Sequence, residues 1–187
     1  TRKLGLGVMG LHDALLKMHL PYSISKSALT INMIDKIFGT LLAESTKASR
    51  ALARERGPYP LYEKSTIGDM PTAVIRNACI TSIAPTGTIA RICGTSFGIE
   101  PVSYWETEHN LVDISYSDVH KLARPYLEAG EPLPSYFEQA SDISPEDHLA
   151  MQALIQRYID QACSKTVLLP KDFQKEKLTD LFIKAWK

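Results

Sequence analysis

Eleven residues, Ile80-Thr81-Ser82-Ile83-Ala84-Pro85-Thr86-Gly87-Thr88-Ile89-Ala90, combine the residue types that hold an anion. A β-branched apolar run ends at Pro85, a hydroxyl-and-glycine cluster follows, and the next residues can start a helix. The first N–H groups of a helix have no internal partner, and the helix dipole favours negative charge there. Phosphate is the expected guest. Thr86 and Thr88 bring hydroxyl donors, Gly87 lets the backbone approach closely, and Ile89 brings a backbone N–H. The same string can also simply cap a helix, with Thr86 as N-cap.

Other residues offer less. Cys79, Cys93 and Cys163 are odd in number and widely spaced, with no C-x-x-C pair, and read as buried thiols in a reducing compartment. His12, His19, His109, His120 and His148 show no metal-binding spacing, so no metal site is expected. Gly5, Gly7 and Gly10 spell G-x-G-x-x-G. Only four residues precede them, and a helix start stands where the fingerprint's second strand should end, so close helix–strand packing is the better reading. Glu100 is a candidate acid or an ion-paired carboxylate at a strand end. Arg76 and Asn77 are candidates for orienting loops by hydrogen bonds.

The elements that must position the turn follow from periodicity. Leu4, Leu6 and Val8 alternate as a short strand or turn, and a helix is expected from Gly10 to Met18. Ile34, Ile37, Phe38, Leu41 and Leu42 mark one face of a helix from Ser25 to Arg56, spanning about 48 Å. Ser23 or Ser25 can cap it, Gly39 can break it, and Gly57-Pro58 stops it. Pro58 to Pro71 reads as a loop. Arg76 to Ala84 reads as a strand, followed by a helix to Cys93 that Gly94 ends. Phe97 to Val102 reads as a strand end or irregular crossing. Ser117 to Glu128 reads as a helix, with Pro125 near its end, and Gly130 to Ser141 as a loop. Ser144 caps a helix with Pro145 at its first position, and its buried face runs to about Cys163. Lys165 to Leu169 reads as a strand closed by Pro170. Asp172 or Thr179 can cap a last helix running to Trp186.

This order implies an α/β fold with parallel strands. The chain has 187 residues, enough for one domain, and its 21 basic and 21 acidic residues balance. A broad nucleic-acid-binding face needs a basic excess and is not expected. No run reaches the roughly 18 apolar residues of a membrane span, and no signal peptide is visible, so a cytoplasmic location without membrane association is expected. The first residue is Thr1, and Lys187 lies within an amphipathic segment, which suggests a piece of a longer polypeptide.

Several blocks carry a family resemblance. Arg2 to Leu11 (R-K-L-G-L-G-V-M-G-L), Arg76 to Ala90, Gly94 to Val102 (G-T-S-F-G-I-E-P-V), Ser144 to Gln152 and Ser164 to Pro170 resemble the catalytic subunits of ribonucleotide reductases, in order and at compatible spacings. The P-T-G-T form of the turn is most similar to the class II, adenosylcobalamin-dependent enzymes. Phe97 departs from the pattern, which has a small residue there. The resemblance implies part of a ten-stranded α/β barrel, with residues 1–187 as its C-terminal portion in one domain. It implies thiyl-radical reduction of the ribose 2′-hydroxyl, with Thr86, Gly87, Thr88 and Ile89 holding the substrate's phosphates. Its implied partners are a ribonucleoside di- or triphosphate, the remainder of the reductase chain and an external dithiol such as thioredoxin. Homo-oligomers are also possible, because a half-barrel has open strand edges. The family's finger loop, N-x-C-x-E, does not occur here. No catalytic residue is therefore assigned, and the chain alone is expected to be inactive. The alternative is a stand-alone phosphate-binding or structural module that pairs with a partner.

Overall fold

Leu4 and Leu6 run parallel to the segment around Thr81 in the computed structural model, which describes residues 2–66, 68, 74–110, 115–169 and 171–186. Leu4 N–H donates to Cys79 O at 2.9 Å, Leu6 N–H to Ile80 O at 2.8 Å, and Ser82 N–H to Leu6 O at 3.0 Å. On its other side the middle segment meets a third, parallel one: Ile83 N–H donates to Ala162 O at 3.1 Å and Ser164 N–H to Ile83 O at 2.9 Å. Three parallel segments joined by helical crossovers give the α/β arrangement its frame. Gly7 is required by the closeness of the first two, since a Cβ there would lie 2.3 Å from Ser82 O. Gly10, at φ +76°, occupies the N-cap of α1 (Leu11–Lys17). The G-x-G-x-x-G string thus serves close packing and a helix entry.

The long helix α2 is Ala28–Arg56, about 43 Å at 1.5 Å per residue. Its cap is Ser27, whose hydroxyl accepts from Thr30 N–H at 3.2 Å, and neither Ser23 nor Ser25. Those two serines are engaged elsewhere: Ile24–Lys26 forms a 3₁₀ turn, Ser23 N–H donates to Glu138, and Ser25 donates to both oxygens of Asp147. Gly39 does not break α2. A Cβ there would touch the Tyr158 ring at 3.6 Å, so the glycine accommodates a neighbour. At the other end Gly57, at φ +75°, stops the helix, and the Arg76 guanidinium donates to Arg56 O at 2.8 Å and Gly57 O at 3.0 Å. Arg76 therefore satisfies terminal carbonyls of α2. Asn77 accepts from the Ser49 hydroxyl and donates to Arg2 O, joining α2 to the first segment. These two residues orient loops, as their types suggested.

Downstream of α3 (Gly87–Cys93) comes an antiparallel hairpin, β1 (Glu106–Asn110) and β2 (Ser115–Val119), with Glu106 opposite Val119. The expected helix from Ser117 is therefore a strand and then a short helix, α4 (Arg124–Ala129). Pro125 lies in its first turn, where a missing N–H costs nothing, so this proline starts a helix. The helix α5 (Pro145–Gln156) begins as expected, with Ser144 accepting from Asp147 N–H at 3.1 Å. It stops at Gln156, short of Cys163, because residues 161–164 turn back to pair with the middle segment. Lys165 to Leu169 is irregular rather than a strand, its first residues bonding side chains instead of a neighbouring backbone. The last helix, α6, is Lys175–Trp186. Pro170, and the Asp69 and Pro71 turn residues of the Pro58 loop, lie outside the described residues.

The core forms where α1, α2 and α5 close over the parallel segments. Leu15, Ile34, Phe38, Ile83, Met151 and Ile155 are nearly or wholly removed from solvent. No described helix is long and apolar enough to cross a membrane.

Candidate phosphate site

The middle parallel segment ends at Ala84-Pro85, and Thr86 then takes the left-handed conformation, φ 54° and ψ 20°. A β-branched residue adopts that conformation only at a cost, typically ~1–2 kcal/mol. The turn delivers the chain into α3, with Ala90 N–H donating to Thr86 O at 2.9 Å. The N–H groups of Gly87, Thr88 and Ile89 find no acceptor among the described residues. Thr88 and Ile89 are exposed, and a Cβ on Gly87 would meet nothing within 4 Å. Three donors and an open face therefore lie together at the end of the segment.

Thr86 stands at the N-cap position, yet its side chain makes no cap bond. Its hydroxyl oxygen instead accepts from Gly98 N–H at 2.8 Å. The simple capping role is therefore excluded, and the hydroxyl proton is left without an acceptor among the described residues. Gly98, at φ +45°, sits hard against the turn: a Cβ there would lie 3.0 Å from Ala84 O.

The loop that carries Gly98 is tied down on two sides. On one, Gly10 N–H donates to Ser96 O at 2.8 Å and Val102 N–H to His12 Nδ1 at 2.8 Å. Burial drives the His12 pKa down to about 3, so the ring is neutral and free to accept. Asp13 meets His120 at 3.2 Å and Lys121 at 3.4 Å, and Lys121 also donates to Gly94 O at the C-terminus of α3. Burial alone would raise the Asp13 pKa, but the His120 and Lys121 partners outweigh it and hold the carboxyl below its ordinary value. On the other side, the Lys165 ammonium donates to Glu100 at 2.7 Å, and Thr166 N–H donates to the same carboxylate at 2.6 Å. Glu100 is thus the ion-paired carboxylate of the two expectations.

None of the cysteines is bonded to another. Of the three expected to be buried only Cys163 is; Cys79 is half-buried, and Cys93, at the end of the short surface helix α3, is exposed. Desolvation pushes the Cys163 thiol up to about 11, which keeps it protonated and unreactive.

The structure brings Thr86, Gly87, Thr88 and Ile89 together as one open corner. Sequence reasoning missed Gly98 and the identity of the partner that pairs with Glu100, Lys165. The residues stand in the G-I-E-P and S-K-T blocks, but Gly98 reaches Thr86 across 12 residues and Lys165 reaches Glu100 across 65. No local spacing reveals that.

The family described as ribonucleotide reductase, barrel domain, matches residues 1–74 and 68–187. The vitamin B12-dependent ribonucleoside-diphosphate reductase of Mycobacterium tuberculosis is 32% identical across 100% of this chain and 30% of its own length. The enzyme of the same description from Thermoplasma acidophilum is 37% identical across 94% of this chain and 26% of its own. The class Id ribonucleotide reductase alpha subunit of Actinobacillus ureae superposes with a TM-score of 0.78 at 24% identity, covering 99% of this chain and 36% of that one. The chain thus spans about 30% or less of the curated relatives' length. With the barrel-domain match running from end to end and the parallel frame in place, the chain belongs to the ribonucleotide reductase barrel-domain family.

Proposed function

We propose that this chain is the substrate-phosphate-binding part of a ribonucleotide reductase, an oxidoreductase that converts ribonucleotides to deoxyribonucleotides by thiyl-radical chemistry. Residues 1–187 form one domain, the C-terminal portion of a ten-stranded catalytic barrel. The observation that carries this is the corner at Thr86: three consecutive N–H groups without an acceptor among the described residues, beside a hydroxyl whose proton has none among them either. A phosphate accepts from Gly87, Thr88 and Ile89 N–H and from the Thr86 and Thr88 hydroxyls. Such charge-assisted bonds are about twice as strong as neutral ones.

The radical chemistry belongs to residues outside this chain. The Cys163 thiol is held protonated, and no N-x-C-x-E loop occurs. Adenosylcobalamin is the cofactor we assign to the complete enzyme, on the strength of the B12-dependent relatives. It supplies the radical chemistry when bound. The donor set at the corner suits phosphate and offers no cobalt ligand, so no residue here is assigned to that cofactor. The partners are a ribonucleoside di- or triphosphate, the rest of the barrel, and an external dithiol such as thioredoxin. The first parallel segment favours barrel completion: the N–H groups of Lys3, Gly5 and Gly7 have no partner among the described residues, leaving an open edge. A cytoplasmic site of action goes with this role in deoxyribonucleotide supply.

Gly87→Val tests the assignment. The missing Cβ faces open space, so the fold tolerates the larger side chain while phosphate does not. The full-length variant should lose substrate affinity by about tenfold or more, the scale of one or two charged hydrogen bonds. Unchanged affinity in equilibrium binding would place the phosphates elsewhere.

A further inference from the structure

A buried chain of polar groups leads from α5 to the phosphate corner. His148 is wholly buried, and its Nε2 donates to Ala140 O at 3.0 Å. That leaves Nδ1 as an acceptor, and the Lys165 ammonium donates to it at 2.8 Å. The Lys165 side chain is 0% exposed, and its three N–H groups meet three acceptors: His148 Nδ1, Glu100 at 2.7 Å and Thr166 O at 2.7 Å. An ammonium has three donors and no more, so this one is saturated. The face of the Tyr22 ring lies 5.7 Å away, and Tyr22 donates to Ile99 O at 2.7 Å. Burial lowers the pKa of Lys165 and of His148, while the Glu100 charge acts to keep the lysine protonated.

Glu100 closes a tight turn, its N–H donating to Phe97 O at 2.7 Å. Gly98 lies inside that turn and donates to Thr86 Oγ1. The path from Lys165 to the corner is therefore Glu100, the Phe97–Glu100 turn, Gly98 N–H and the Thr86 hydroxyl. A saturated ammonium deep in the protein is an expensive way to hold a loop, because breaking such a pair leaves a bare buried charge. What it holds is a threonine in a strained left-handed conformation.

We infer that Lys165 and Glu100 are positioning residues for substrate phosphate: they fix the Phe97–Glu100 turn so that Gly98 N–H occupies one lone pair of the Thr86 hydroxyl and leaves its proton for the phosphate. This rests on the phosphate reading of the corner. Neither residue touches substrate; both act through Thr86. The role belongs to binding, so the substrate KM rises while kcat is retained.

The test is a double-mutant cycle in the full-length reductase, read as the Kd of cytidine di- and triphosphate and as the KM–kcat split. Thr86→Ala should weaken binding about tenfold, the scale of one hydrogen bond to a charged group. Glu100→Gln should weaken it by a similar factor alone and by almost nothing further in the Thr86→Ala background. Residues that act through a shared group are non-additive in this way. A merely structural Glu100 would instead give losses that multiply, and that result overturns the inference, as does wild-type affinity in Glu100→Gln. Unchanged binding in Thr86→Ala overturns the phosphate reading itself. The double variant Lys165→Met/Glu100→Leu guards against misfolding, because apolar groups replace the buried pair without leaving a lone charge. It should fold, by circular dichroism and thermal melting, and still bind weakly. Wild-type affinity in that variant also refutes the positioning role.

Discussion

His12 shows at residue scale how burial sets a protonation state that the structure then uses. It is fully buried, ring edge against Tyr22 at 5.4 Å between centroids, and it accepts from Val102 N–H. Its pKa falls from 6.5 in the free state to about 3. The unfolded chain therefore binds more protons than the native one between those values, and stability rises with pH there. Stability is fully present above 6.5 and drains away as pH falls toward 3, at up to ~1.4 kcal/mol per pH unit for this one group. His148, also lowered by burial, adds to the same slope. His12→Asn keeps an acceptor near Val102 and cannot titrate. Denaturant unfolding at pH 7, 6 and 5 should show the variant's stability falling less steeply, by up to ~1.4 kcal/mol per pH unit and by less nearer pH 7. An unchanged slope would mean that His12 titrates alike in the native and unfolded protein.

The junction of α5 with the 3₁₀ turn at Ile24–Lys26 is the point of leverage at element scale. Asp147 sits in the first turn of α5, where its charge also suits the dipole. It accepts from the Ser144 hydroxyl at 2.9 Å, from Ser25 N–H at 2.9 Å and from the Ser25 hydroxyl at 2.8 Å. Ser144 caps the helix alone, whereas Asp147 joins two elements. Ser144→Ala should cost about 1 kcal/mol in thermal or denaturant unfolding, the usual worth of an N-cap. Asp147→Ala should cost about 2–3 kcal/mol, because it also strips the Ser25 groups of their acceptor. Equal losses would show that the tertiary bonds contribute nothing. The capping signal at Ser144 was readable because N-cap, proline and acid fall within four consecutive residues. The partner, 122 residues away at Ser25, was not.

The whole molecule presents an open corner at Thr86, a parallel frame with one open edge among the described residues, and a Cys163 thiol that burial keeps protonated. It spans about 30% or less of the curated relatives it matches. From this division of labour we expect the isolated 187-residue chain to show no turnover when mixed with adenosylcobalamin, a ribonucleotide and a dithiol. Deoxyribonucleotide in that assay, measured chromatographically, would show that the radical thiols are here after all.

Local order determined much of this protein from the sequence alone. Gly57 and Gly94 stop their helices, Ser144-Pro145 starts one, and Pro85 to Ala90 turns a parallel segment into α3, because backbone sterics and capping act within a few residues. The blocks that resemble the reductases were equally legible, being strings. What only the tertiary structure decided involves groups brought together across long stretches of chain. Ser117 to Val119 became strand because the residues from Glu106 lie alongside. Ser27 caps α2 in place of Ser23 and Ser25 because the Ile24–Lys26 turn comes before the helix and Asp147 takes the Ser25 hydroxyl. The Thr86 hydroxyl serves Gly98 instead of its own helix because Glu100, held by Lys165, brings that glycine to it. A hydrogen bond depends on distance and direction in space, and for these residues the fold alone sets both.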